Sequence, residues 1–137
     1  MAAPASRRVP NFSTTTMSRK GFGHLIDAFK YSLEGLYAMR NETPFRHELL
    51  VGIVALPLAW LLPDLDLVWR VLLTLAWLSL PTLEIVNTAI ESVVNMVSPE
   101  WHPLAKKAKD CASAAVLCAG IANVIVWLAA LWECFWG

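Results

Sequence analysis

The chain carries no surplus charge. Its 11 lysines and arginines balance its 11 aspartates and glutamates, and charged residues make up only 16% of the 137. That balance leaves no electrostatic case for nucleic acid as a partner. Cysteine is scarce and odd in number, with Cys111, Cys118 and Cys134 in or beside apolar runs. These read as small core residues in a membrane or reducing setting. Their spacing matches neither a zinc nor a disulfide framework. No phosphate-cradling loop is present, since neither GxxxxGKS/T nor GxGxxG occurs. Residues 1–20 are rich in Ser, Thr and Arg, hold Pro4 and Pro10, and lack an apolar core. They do not read as a signal peptide, and their composition predicts a disordered extension.

What is abundant is apolar surface. The hydrophobic fraction is 57% and the mean hydropathy +0.52, above the range of a soluble domain. Seven tryptophans fit a membrane protein, where indoles sit at the interface. Residues 22–41 show a helical period, with Phe22, Leu25, Ile26, Phe29, Leu33, Leu36 and Tyr37 on one stripe. This predicts an amphipathic surface helix in the interface plane. Three spans are expected, over about 45–62, 68–97 and 109–135. The first has only 15 charge-free residues (49–63) and reaches full length by including Arg46, His47 and Glu48. The third contains 22 residues without a charge (111–132). The fold class expected is all-α integral membrane, with residues 21–137 forming one membrane domain.

Basic residues set an orientation. Arg7, Arg8, Arg19, Lys20, Lys30 and Arg40 precede the first span, and Lys106, Lys107 and Lys109 lie between the second and third. Asp64 and Asp66, with Arg70 just beyond, join the first two. The positive-inside rule puts the N-terminus in the cytoplasm and the C-terminus outside. Trp132 and Trp136 then form an outer aromatic belt. Pro81 removes a backbone donor and is expected to bend the second span just before Glu84.

The second span carries Glu84, Asn87 and Glu91 at i, i+3 and i+7, on one helix face. One charge near the membrane centre costs roughly 3 kcal/mol even on the mildest scale. Two with an amide between them need a partner, a proton or a metal; a polar seam that only joins helices is the plain alternative. With this topology Glu42, Glu48, Glu84, Asn87, Glu91, Lys109 and Asp110 converge on the inner half of the membrane. Carboxylates at the rim can hold Mg²⁺, which takes one or two of them and fills its other positions with water and phosphate oxygens. A lysine beside them offsets phosphate charge. A carboxylate deeper in the apolar layer is a usable base. Together these suit transfer of a phosphoryl group from ATP to a lipid hydroxyl. The alternative from chemistry alone is an oligomeric ion pathway. A pore has no need of Lys109 beside a carboxylate pair, whereas an ATP site does.

The run Glu84-Ile85-Val86-Asn87-Thr88-Ala89-Ile90-Glu91 resembles the signature of the prokaryotic diacylglycerol kinase family. Lys109-Asp110 followed by Ser113-Ala114-Ala115-Val116 is similar to its second motif, and Asn41-Glu42, Phe45-Arg46 and Glu48 to its first. The similarity runs from about Phe22 to Trp132. It implies a homotrimer in a bacterial inner membrane, with active sites shared between neighbouring chains and diacylglycerol as the lipid partner. By the resemblance, Glu84 is the catalytic base, and Glu42 and Glu91 hold Mg²⁺ with the ATP phosphates. Asn87 positions the reacting groups. His24, Tyr31, Glu100, Trp101, His102, Lys109 and Asp110 contact ATP, with Glu42 and Glu91. Phe45, Arg46, His47, Glu48, Leu49, Arg70, Glu84, Asn87 and Ser113 line the lipid site. An undecaprenol kinase of the same family is the nearest alternative.

Three positions depart from the family's pattern. Asn95 stands where an Asp is usual, His24 where an Arg is, and Leu33 where a Trp is. Plainer roles stand beside several carried-over ones. Glu48 can pair with Arg46, and Asp110 can serve the helix macrodipole. Trp101 and His102 can be interfacial residues, and Arg70 a snorkelling anchor.

Overall fold

Prolines mark half of the helix boundaries. The computed structural model describes residues 22–136, and all its regular structure is helical: α1 (Phe22–Met39), α2 (Thr43–Leu61), α3 (Leu67–Val97) and α4 (Pro103–Trp136). Pro44 lies in the first turn of α2, where a missing N–H costs nothing. Pro63 and Pro99 follow the ends of α2 and α3, and Pro103 opens α4. The imidazole Nδ1 of His102 accepts the Leu104 N–H at 3.2 Å and so caps α4. The expected disorder of residues 1–20 concerns positions outside the described residues.

Helices α2, α3 and α4 are each long and apolar enough to cross a membrane. Most of their large apolar side chains face outward, including Leu50, Ile53, Leu75, Leu117, Ile125 and Leu128. The class is the expected one: an all-α membrane protein with an amphipathic first helix and three spans. Helix α4 starts at Pro103, ahead of the first charge-free residue, because Lys106, Lys107 and Lys109 continue its helical turns beyond the apolar stretch. Helix α3 runs unbroken through Pro81, and α2 through Pro57. The chain divides within α1, at Glu34 and Gly35. On the part before that division, Leu25, Ile26, Phe29 and Leu33 are exposed.

Among the spans, α3 packs against both α2 and α4. Asn123 of α4 meets Ala76 of α3, while Lys109 meets Asn95, so the two helices run antiparallel. The buried residues of α4 are Ala112, Ala119, Asn123 and Ala130, a seven-four-seven spacing that keeps one narrow face on its neighbour. Three of the four are alanine, which allows close backbone approach. Asn123 Nδ2 donates to the Ala76 carbonyl at 2.7 Å and to its own helix at Ala119 O, 2.9 Å. The Ser79 hydroxyl donates to the same Ala76 carbonyl at 2.6 Å. These bonds lie one turn before Pro81, where the backbone ladder of α3 loses a donor.

Helix α2 is held by indole and guanidinium donors. Trp77 Nε1 donates to the Glu48 carbonyl at 3.0 Å, and Trp60 Nε1 to Thr74 Oγ1 at 3.2 Å. Arg70 Nη2 donates to the Leu62 carbonyl at 2.8 Å, satisfying the exposed end of α2. The apolar core, Ala59, Leu65, Leu73 and Ala130 with Trp69, Val126 and Trp127 against it, sits at this turn end of the spans. Replacing Asn123 by Ala removes the interhelical donor and matches the small residues of this face. It should lower stability by about 1 kcal/mol, read from reversible unfolding in mixed detergent micelles. An unchanged midpoint would show that the Asn123 bonds contribute nothing.

Candidate intramembrane active site

The buried seam of α3 changes character along its length. Leu73 and Pro81 are followed by Glu84 and Asn87, which are 6% and 9% exposed. Half-buried Glu91 continues the same face one turn on. Thus the helical face that buries apolar side chains against neighbours at one end buries a carboxylate and an amide at the other. Glu42, Glu48 and Glu91 are the acidic neighbours of Glu84, close enough for their charges to interact. The Asn87 amide donates to Glu91 Oε1 at 3.4 Å, while its own Oδ1 is buried without a partner among the described residues. Glu48 is half-buried, and its Oε2 also lacks a hydrogen bond among the described residues. Buried polar atoms left in this state are costly. Two of the three such atoms among the described residues lie beside the buried carboxylate; the third is Arg70 Nε at the α2–α3 turn.

Glu48 is set by its neighbours on α3. The Trp77 indole lies against Gly52, so that a Cβ added at Gly52 would fall inside the ring. From this seat the indole N–H reaches the Glu48 carbonyl one turn earlier on α2. Phe45, at the start of α2, is buried, and Leu49 is half-buried. Arg46 and His47 are exposed, as is Glu42, the N-cap of α2. No Arg46–Glu48 ion pair forms; among the described residues the salt bridge present joins Lys106 and Asp110.

The basic end of α4 completes the cluster. Lys109 Nζ donates to Asn95 Oδ1 of α3 at 2.7 Å. Asp110, in contrast, is taken by Lys106 one turn earlier, with both side chains exposed. Ser113 is exposed. Glu100, Trp101 and His102 are exposed in the connection between α3 and α4, where His102 serves as the cap of α4. Arg70 belongs to the opposite end of α3, with its guanidinium on the α2–α3 turn. His24 and Tyr31 are exposed on α1.

Among the described residues no three His, Cys, Asp or Glu side chains form a group that could hold a metal ion. A hard cation that uses one or two carboxylates and takes its other ligands from phosphate and water still fits the acidic cluster. Two contributors carry no pattern in the sequence. Asn123 is a lone amide inside the longest charge-free stretch, and that isolation was its only signal. Trp77 is one of many apolar residues in the second span, and its spacing does not set it apart.

Three spanning helices with an acidic, partly unsatisfied seam that ends beside lysines define an integral membrane protein with a buried polar site. Residues 30–131 match the family described as prokaryotic diacylglycerol kinase. The diacylglycerol kinase of Escherichia coli (strain K12) is 44% identical over 117 residues, which are 84% of this chain and 94% of that one. The Haemophilus influenzae protein of the same name is 40% identical over 78% of this chain and 91% of its own length. The Pseudomonas aeruginosa one is 40% identical over 78% and 87%. The chain belongs to the prokaryotic diacylglycerol kinase family.

The Trp77 seat yields a test within this site. Gly52→Val forces the indole off the helix and should cost about 1–3 kcal/mol of stability. Gly52→Val combined with Trp77→Ala should recover most of that loss, measured in the same micelle unfolding assay. Failure of the second change to recover stability would mean that the contact does not set the α2–α3 packing.

Proposed function

We propose that this protein transfers the γ-phosphoryl group of ATP to the free hydroxyl of diacylglycerol, giving phosphatidic acid. The observation that carries the reading is the burial of Glu84 in one seam with Asn87, with Glu42, Glu48 and Glu91 as its acidic neighbours. Family membership supplies the substrate class. In this reading the lipid hydroxyl oxygen attacks the γ-phosphorus, and its proton passes to the Glu84 carboxylate. The bond from the γ-phosphorus to the bridging oxygen breaks, and ADP leaves with that oxygen. A base inside the apolar layer is poorly hydrated, which suits proton abstraction from an alcohol that never leaves the membrane.

Glu42 and Glu91 would hold Mg²⁺ together with the phosphates, and the ion would supply charge neutralisation on the transferred group. Asn87, tethered to Glu91, orients that carboxylate. Lys109 faces the triphosphate, with Asp110, Glu100, Trp101, His102, His24 and Tyr31 as further nucleotide contacts. Phe45, Arg46, His47, Glu48, Leu49 and Ser113 border the lipid. Arg70 contacts lipid only at the opposite interface, since its guanidinium already serves the α2–α3 turn.

Three spanning helices are too few to enclose a lipid and a nucleotide. We therefore assign a homotrimer in which neighbouring chains close each site. The outward apolar side chains of all three spans support burial by lipid or by sister chains. The basic connection between α3 and α4 supports a cytoplasmic site in the bacterial inner membrane, with the N-terminus inside and the C-terminus in the periplasm. Residues 1–20 then form an extension on the cytoplasmic side, and 21–137 the catalytic domain.

The direct test is phosphate transfer from labelled ATP by the purified protein in lipid micelles. Diacylglycerol and undecaprenol are offered in parallel, with and without Mg²⁺. Mg²⁺-dependent labelling of diacylglycerol is expected; labelling of undecaprenol alone would change the substrate, and labelling of neither would remove the activity. Glu84→Gln should lower kcat by about 100-fold or more while the oligomer stays assembled. Glu91→Gln should raise the Mg²⁺ concentration for half-maximal rate by about tenfold. An unchanged Mg²⁺ dependence would take Glu91 out of the metal site.

A further inference from the structure

The two lysines that hydrogen-bond at the basic end of α4 have partners of different charge. Lys106 is neutralised by Asp110. Lys109, three residues later and half-buried, reaches across to α3 and donates to Asn95 Oδ1 at 2.7 Å. An amide oxygen fixes the direction of an ammonium and removes none of its charge. A carboxylate at that place would fix it and cancel it. The difference matters because the same end of the seam holds Glu91 and Glu84, whose charges oppose an arriving anion.

We propose that Asn95 is a positioning residue for phosphate recognition: it holds the Lys109 ammonium across the α3–α4 interface and leaves its full charge to an incoming polyphosphate. The proposal rests on the assigned function only for the identity of that anion, a nucleoside triphosphate. Asn95 itself need not touch the nucleotide. Its effect passes through Lys109, and removing it frees a long, flexible side chain whose charge then has no fixed position. The pair also joins the ends of α3 and α4 on the side away from the apolar core, so the ammonium's place depends on the register of the two helices.

The experiment is calorimetric titration of the full-length protein in detergent micelles with Mg²⁺ and the β,γ-imido analogue of ATP. Initial rates with ATP and diacylglycerol are measured alongside. Asn95→Ala should weaken analogue binding by about three- to tenfold, the worth of one such hydrogen bond. It should raise KM for ATP in step while kcat at saturating ATP holds. In a Lys109→Met background, Asn95→Ala should have no further effect on binding. Asn95→Asp keeps the bond and cancels the charge, so it should also weaken binding. An equal loss from Asn95→Ala with and without Lys109 would overturn the proposal, because Asn95 would then act on the helix and not on the ammonium. Unchanged or tighter binding with Asn95→Asp would overturn it too. Coupled binding without lipid phosphorylation would support the pair and remove the assigned activity. A wild-type chain that binds no analogue would overturn both.

Discussion

The close approach of α4 to α3 is the constraint on which the rest of the structure depends. Alanines at 112, 119 and 130 let the two backbones come together, and Asn123 bonds across the gap at the level of Ala76. In a bilayer no hydrophobic driving force brings helices together, since lipid tails are as apolar as leucine. Small residues and a few polar bonds must do it. Asn123 acts where α3 is weakest, one turn before the donor lost at Pro81. Once that register is set, everything further along the pair follows from helix geometry. Glu84 lies five residues beyond Ser79, about 7–8 Å along the axis. Lys109 then comes opposite Asn95.

The spans divide into an end that holds and an end that is left open. At the α2–α3 turn, Leu65, Leu73, Ala59 and Ala130 form an apolar cluster, and Arg70 Nη2 closes the Leu62 carbonyl, although its Nε has no partner among the described residues. At the other end the same seam presents Glu84, Asn87 and Glu91, with unsatisfied atoms on Asn87 and Glu48. A site whose groups carry uncompensated burial costs holds together only if stability comes from elsewhere. Here it comes from the opposite end of the same helices. Trp77 links the two regimes. Its ring packs on Gly52 and its N–H anchors the backbone of Glu48.

Much of this was legible in the residues. The spans declared themselves by length and apolar content, and the carboxylate seam by the spacing of Glu84, Asn87 and Glu91. Both are properties of a single helix, where periodicity alone decides which residues share a face. What could not be read is whatever depends on the register between helices. Asp110 stands beside Lys109 in the chain, yet it pairs with Lys106, because i and i+4 share a face and i and i+1 do not. By sequence Arg70 reads as a lipid contact or an anchor. Its role at the α2–α3 turn depends on how tightly the chain reverses after Leu62. Asn123 is a lone amide in an apolar run, which forms no pattern with other polar residues.

The absence of a phosphate loop acquires a physical meaning in this setting. A Gly-rich loop cradles phosphates with backbone N–H groups freed by tight turns. Backbone inside the bilayer cannot be freed in that way, because each unsatisfied N–H costs several kcal/mol on the order of a lost hydrogen bond in hydrocarbon. Continuous helices keep their backbone groups paired and must recognise an anion through side chains alone. In the proposed reading, that burden falls on carboxylates that would share a cation with the phosphates, and on a lysine whose charge is left intact. It also explains why the polar groups gather at one end of the spans. Only there can a single face meet water-borne nucleotide and membrane-bound alcohol while the helices that carry it stay fully hydrogen-bonded.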